Sequence, residues 1–350
     1  MAFWTDLPLQ QKSFTDPGKA AAYMEKACRM SDQCRWVEIG KSEENRPIFG
    51  AILGNGPMKV SLIAGSHSDE PVGPETLRLL VSNVGILEKN SPELFEHYTF
   101  LIIPHINPDG EARNREWIKR WPDMNHFAQH VLRELPGRDL EFGYPDMRIE
   151  NKVVSNFIKK HGPVDLHMSL HGMAFAEGCM LLIEPHWIDK TLELQENFID
   201  FIHEQELPLH DHDRGGEKGF EYIGPGLTTT PRGRAMKKYF EGRNDPETAE
   251  KFHLSSMEYV RTLGGDPLCL VTEIPLFLVS FADKTRENRA GIPEAYLELK
   301  ERLPLIRAKL ERNESITKEL KPFDIQHLPL STAMKIQFRT IELGLETIGI

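Results

Sequence analysis

The sequence predicts an α/β protein: a mixed central sheet covered by helices on both faces, in three α/β/α layers. Three observations carry that prediction. Apolar runs of strand length are interleaved with amphipathic stretches of helical period. The strand-like runs end in glycine or in clusters of turn formers. With 350 residues, 40% of them apolar and 27% charged, the chain has ordinary globular composition and can bury a sizeable core.

The elements follow in order. Asp16-Pro17-Gly18 opens a helix over 19–30, with Asp16 as cap and Pro17 in the first turn. Residues 36–40 and 47–53 alternate like two strands around the polar turn 41–46. Asn55-Gly56 turns the chain into Val60-Ser61-Leu62-Ile63-Ala64, a short buried strand that Gly65 ends. The turn Ser66-His67-Ser68-Asp69-Glu70 leads into a helix over 71–80, with Val72, Leu77, Leu79 and Leu80 on its apolar side. Residues 98–104 form the next strand, running into the loop His105-Ile106-Asn107-Pro108-Asp109-Gly110.

The charged, tryptophan-bearing segment 111–143 shows no clean period and reads as loops and short helices. A helix over 150–160 precedes a strand over 163–172, whose alternation puts His167, Ser169 and His171 on one face. A strand over 179–185 and a helix over 189–204 come next. The Gly-rich, polar stretch 207–236 reads as a surface excursion of the kind that shapes a pocket. Residues 256–263 are helical, and 268–275 form the last core strand. Two charged helices are expected over 293–313 and 314–320.

Composition excludes several classes of function. A net charge of -11, with no long Lys/Arg cluster, argues against a nucleic-acid surface. No apolar run approaches the length of a membrane span. The first residues show no basic stretch followed by an apolar one, so no secretory signal is expected. The four cysteines, Cys28, Cys34, Cys179 and Cys269, are irregularly spaced and form no CxxC. They are expected as reduced thiols in a cytoplasmic protein. None neighbours a base that would make it a nucleophile.

His67 and Glu70 stand three residues apart on a turn at the C-terminal end of a strand, where ligand crevices open in α/β sheets. Zinc takes such N and O ligands at about 2.0–2.2 Å. Alone, the pair also reads as a turn histidine and a carboxylate favourable at a helix N-terminus. His171, at a strand end before Gly172, is the candidate third ligand. Glu273, on the last core strand, is the candidate general base.

HSDE at 67–70, NPDG at 107–110, SLHG at 169–172 and TE at 272–273 occur in the order found in the zinc metallocarboxypeptidases of the carboxypeptidase A type. The chain resembles that family over roughly 16–280. The resemblance implies one zinc ion held by His67, Glu70 and His171, with Glu273 as catalytic glutamate. It implies a zinc carboxypeptidase-like catalytic domain over 10–290 and a helical C-terminal extension over 291–350 packed on it. The implied reaction is zinc-dependent hydrolysis of a peptide or amide substrate, with no nucleic-acid or membrane partner. An N-acyl amino-acid or peptidoglycan-type amidase on the same scaffold is the enzymatic alternative. A non-catalytic metal- or peptide-binding relative is the alternative of another class, against which the retained Glu273 speaks.

Departures from the family pattern are informative. The family's Asn-Arg pair, which grips a substrate carboxylate, is matched by Glu141 and Phe142 within 137–143. A carboxylate repels a carboxylate where an arginine would bind it bidentately. Either Glu141 faces an uncharged or amine-bearing part of the substrate, or it pairs with an arginine such as Arg138. For the family's oxyanion arginine, a strict match of NREWIK places Ile118, so Arg115, with Arg113 second, is the expected substitute. The family's mobile tyrosine has no clean match, with Tyr222 and Tyr239 as candidates; Met257 falls near the family's specificity-pocket position and also reads as a core methionine. His167 lies about 13 Å from His171 along the strand, too far to share an ion. It reads as a core histidine. His210-Asp211-His212-Asp213 reads as a solvated loop sooner than as a second metal site. Asp165 reads equally as a support for a ligand imidazole or as a buried acid paired elsewhere.

Overall fold

The computed structural model describes residues 3–279, 294–312 and 314–349. The strands are β1 (Cys34–Lys41), β2 (Pro47–Leu53), β3 (Met58–Ala64), β4 (Tyr98–Ile103), β5 (Leu166–Ala176), β6 (Met180–Ile183), β7 (Tyr222–Gly224), β8 (Leu227–Thr229), β9 (Leu268–Val279) and β10 (Ile325–His327). They form one sheet in the order β1-β2-β4-β3-β5-β9-β6-β8-β7, with β10 also paired to β9. The central β4, β3, β5 and β9 run parallel, β1–β2, β2–β4 and β6–β9 pair antiparallel, and β6–β8 pair parallel.

The central strands are apolar on both faces because both faces are covered. Val60, Leu62, Ala64, Leu268 and Leu270 point into one core, shared with helices Val72–Ser82 and Leu330–Ile348. Ile63, Cys269 and Val271 point into the other, shared with helices Ile149–His161 and Ser256–Thr262. The same alternation places His167, Ser169, His171 and Glu273 on the second face. His167 is fully buried there, with Nδ1 3.1 Å from Ser61 Oγ on the neighbouring strand.

Several expectations change. The boundary expected at residue 290 lies outside the described residues. The chain beyond it, expected as a packed-on extension, supplies β10 and helix Leu330–Ile348, whose Met334, Ile336, Phe338 and Ile341 are wholly buried in the main core. Gln337 on that helix is fully buried: it donates to the His171 carbonyl at 3.2 Å and accepts from Thr76 Oγ1 at 2.7 Å. The excursion over 207–236 is not wholly surface, since it contributes β7, β8 and the buried Leu227–Thr230. Cys28 and Cys34 are joined in a disulfide, which overturns the expectation of four reduced thiols; Cys179 and Cys269 are free and buried. Among the described residues no helix is long and apolar enough to cross a membrane.

Candidate metal centre

The turn after β3 is held by the NPDG segment rather than by its own hydrogen bonds alone. Asn107 caps helix Pro108–Ile118, its Oδ1 accepting from Gly110 N at 3.0 Å. A Cβ on Gly110 would stand 2.4 Å from Ser68 Cβ, so only glycine lets this helix lie against the turn that carries His67 and Glu70. Asn114 Nδ2 then donates to Ser68 Oγ at 3.1 Å. On the other side, a Cβ on Gly73 would meet the Leu170 carbonyl at 2.4 Å, so helix Val72–Ser82 sits tight on β5.

Register supplies the rest. β3 and β5 pair Ala64 with Leu170, and β5 and β9 pair His171 with Glu273. His171 therefore stands one residue beyond the end of β3, beside Glu273 on the same face. Ligand atoms of His67, Glu70 and His171 all lie within 4.8 Å of one another. The two rings meet edge to face, with centroids 4.9 Å apart.

Each candidate ligand is oriented by a neighbour. Asp139 Oδ2 lies 3.2 Å from His67 Nδ1, which leaves the other ring nitrogen for a metal. Glu70 Oε2 accepts from Gly172 N at 3.1 Å and faces His171 Nδ1 at 3.0 Å. His171 Nε2 faces Ser169 Oγ at 2.8 Å and Glu141 Oε2 at 3.0 Å. Arg133 reaches in from the segment after helix Met124–His130, with Nη1 2.5 Å from Glu70 Oε1 and 3.1 Å from Asp69 Oδ1.

The charges explain the titration. Burial opposes ionisation of Glu70, but His67 and Arg133 outweigh it and hold the carboxyl well below its usual range. Burial also opposes the charged form of His171, yet Glu141 and Glu70 keep the imidazole well above its usual value. Burial, followed by the Glu70 charge, pushes the half-buried Glu273 up to about 7.

The residues present fit a divalent cation. Asp69, Glu70, Asp139, Glu141 and Glu273 converge on this region against one guanidinium, and Glu141 Oε1 is buried without a hydrogen-bond partner. Two imidazoles and a carboxylate with room beside them form a donor set suited to zinc with an open position. The centre opens into a cleft of about 1150 Å³ lined by Arg133, Gly172, Glu273 and helix Glu294–Glu311, whose Leu303 and Arg307 face it.

Other expected site residues lie elsewhere. Arg115 pairs with Asp16 and lines a separate cavity of about 280 Å³ with Arg78, His105 and Glu111. Arg113 pairs with Glu44 and Glu134. Tyr222, on β7, donates to Asp211 Oδ1 at 2.7 Å, and Met257 is buried beside Met180, Cys269 and Val271 in the second core. Phe142 packs against Phe252 at 5.4 Å. Asp165 accepts from Lys59 N at 2.7 Å near the opposite end of β5, so Asp139 and not Asp165 supports a ligand imidazole. Asp139 and Arg133 are thus the residues that sequence reasoning missed. Asp139 stood two positions before Glu141 in a motif already aligned, whereas nothing in the local pattern marked Arg133.

Comparison with known proteins agrees with this architecture. The zinc carboxypeptidase family model matches residues 20–177, a span that includes His67, Glu70 and His171. The chain is 28% identical over 198 residues to zinc carboxypeptidase A 1 of Drosophila melanogaster, covering 47% of this chain and 43% of that one. It is 28% identical over 189 residues to human carboxypeptidase D, covering 50% of this chain and 13% of that one. The chain thus spans less than half the length of these curated relatives. Carboxypeptidase A from Helicoverpa armigera shares the fold with a TM-score of 0.52 at 13% identity, over 98% of this chain and 76% of that one.

Proposed function

We propose that this chain hydrolyses a peptide or amide bond as a zinc-dependent metallopeptidase, with His67, Glu70 and His171 as zinc ligands and Glu273 as general base. The observation that carries the reading is the register that sets His171 opposite Glu273, on the face reached by the His67–Glu70 turn. His67, Glu70 and His171 would hold zinc, which would supply Lewis-acid polarisation of the scissile carbonyl and acidification of water. Glu273 takes the proton from the attacking water and passes it to the leaving nitrogen. Arg133, with its guanidinium beside Glu70 in the same cleft, offers the positive charge for the developing oxyanion. Asp139 keeps the His67 ring in place.

Glu141 and Phe142 supply no cation for a substrate's terminal carboxylate. The substrate preferred here carries an amide or an amine on its leaving side. The test is a panel of peptides with free and amidated C-termini, offered to zinc-loaded protein. Wild type is expected to cleave the amidated set faster, Glu273→Gln to lose about two or more orders of magnitude in kcat, and Glu141→Gln to narrow the preference. Equal activity of Glu273→Gln would remove the assignment of the base. An unchanged preference in Glu141→Gln would remove its substrate role.

The Cys28–Cys34 bond withdraws the support that cysteine usage lent to a cytoplasmic location and favours an oxidising compartment.

A further inference from the structure

A second cluster of metal-ligating groups lies away from the first. Glu177 follows β5 directly, and His210 and His212 sit on an extended segment after helix Leu192–Glu204. Their ligand atoms fall within 4.8 Å of one another. Glu177 lies six positions beyond His171 along the chain, about 20 Å at the rise of a β-strand.

The main chain builds this arrangement. Cys179 N donates to the Pro208 carbonyl at 3.0 Å, and His210 N donates to the Cys179 carbonyl at 2.9 Å. A Cβ on Gly178 would stand 2.2 Å from the Pro208 oxygen, so glycine is what lets the two backbones touch. His210 and His212, two apart on extended chain, then present their rings on one side, stacked at 3.9 Å and both buried. Glu177 Oε2 lies 3.1 Å from His210 Nδ1, and Glu177 Oε1 faces His212 Nε2. A solvated polar loop, as expected from the sequence, would not bury two stacked imidazoles against one carboxylate.

We propose that Glu177, His210 and His212 form a second site for a first-row divalent cation of the zinc class, structural in role. A cation between them uses both rings neutral and the carboxylate charged, which is the donor set zinc takes from proteins. Filled, the site ties the segment between helix Leu192–Glu204 and β7 to the end of β5.

The test is zinc stoichiometry on the full chain, loaded with zinc, desalted and measured by elemental mass spectrometry. Wild type is expected to hold two ions, His67→Ala one, Glu177→Gln one, and the His67→Ala/Glu177→Gln double variant none. Glu177→Gln is expected to keep peptide hydrolysis, because its site is remote from the cleft. Zinc is expected to raise the melting temperature of His67→Ala by several degrees and to leave that of the double variant unchanged. A single ion in wild type that vanishes in His67→Ala would overturn the proposal. So would two ions in Glu177→Gln, which would put the second ion elsewhere. Should Glu177→Gln misfold, His212→Gln provides the same comparison.

Discussion

At the scale of single residues, the candidate centre is an exercise in compensating charge. Glu70 is buried, yet stays ionised because His67 and Arg133 lie against it. Arg133 is the only cation in direct contact with the candidate ligands among the described residues, and half of its side chain faces solvent in the cleft. That placement separates it from Arg115, whose partner is Asp16. Replacing Arg133 with Met is therefore expected to cost about 10²–10³ in kcat, the range for removing an oxyanion-stabilising donor. Arg115→Met is expected to retain activity within a few-fold. Steady-state kinetics on the two zinc-loaded variants checks this, and the reverse ranking would return the role to Arg115.

Elements decide where those residues can be. The HSDE turn has few internal constraints, with Glu70 N donating to the His67 carbonyl at 3.2 Å. Its position comes from helix Pro108–Ile118 on one side and β5 on the other. Gly110 packs against Ser68 with no room for a Cβ. Gly110→Ala is expected to displace Ser68, weaken zinc binding at least ten-fold and destabilise the fold by about 1–3 kcal/mol, the usual cost of overpacking. Ser68→Gly in the same chain is expected to restore much of both, since it removes the atoms that the new methyl meets. Zinc titration and urea unfolding of the single and double variants measure the coupling. Strict additivity would show that this contact does not position the turn.

Across the whole molecule, the sheet buries groups that resist protonation. Burial lowers His167 to about 3, and lowers His105 to about 4 despite the nearby Glu111. Both titrate near 6.5 when unfolded. As pH falls below about 6.5, the unfolded chain takes up protons that the fold refuses, so stability is full above that pH and lost below it. The loss is about 1.4 kcal/mol per pH unit for each histidine, continuing to about pH 4 for His105 and about pH 3 for His167. His167→Gln keeps a hydrogen-bonding partner for Ser61 without the titration. Between pH 7.5 and 5.0 its stability relative to wild type is expected to improve by about 2 kcal/mol. Urea unfolding of the metal-free proteins at the two pH values checks this, and a constant difference would mean that His167 is protonated in the fold.

The core strands and the His67, Glu70, His171 and Glu273 set were legible because strands buried on both faces read as unbroken apolar runs and because their ends carry the reactive side chains. The burial of helix Leu330–Ile348 in the main core was not, since a helix packed on the outside of the domain was expected there and long-range packing decides which helix fills a core. Asp139, Arg133 and the Cys28–Cys34 pairing also escaped. Which acid meets an imidazole, which arginine reaches a carboxylate and which thiols touch are set by the packing of distant segments. The sequence alone determined the fold class and the identities of the groups that gather at the strand ends, because those depend on periodicity and on local turns. Only the tertiary structure decided which neighbour orients each group, and that the Glu177, His210 and His212 side chains meet, because such contacts are made between chain segments that no local pattern links.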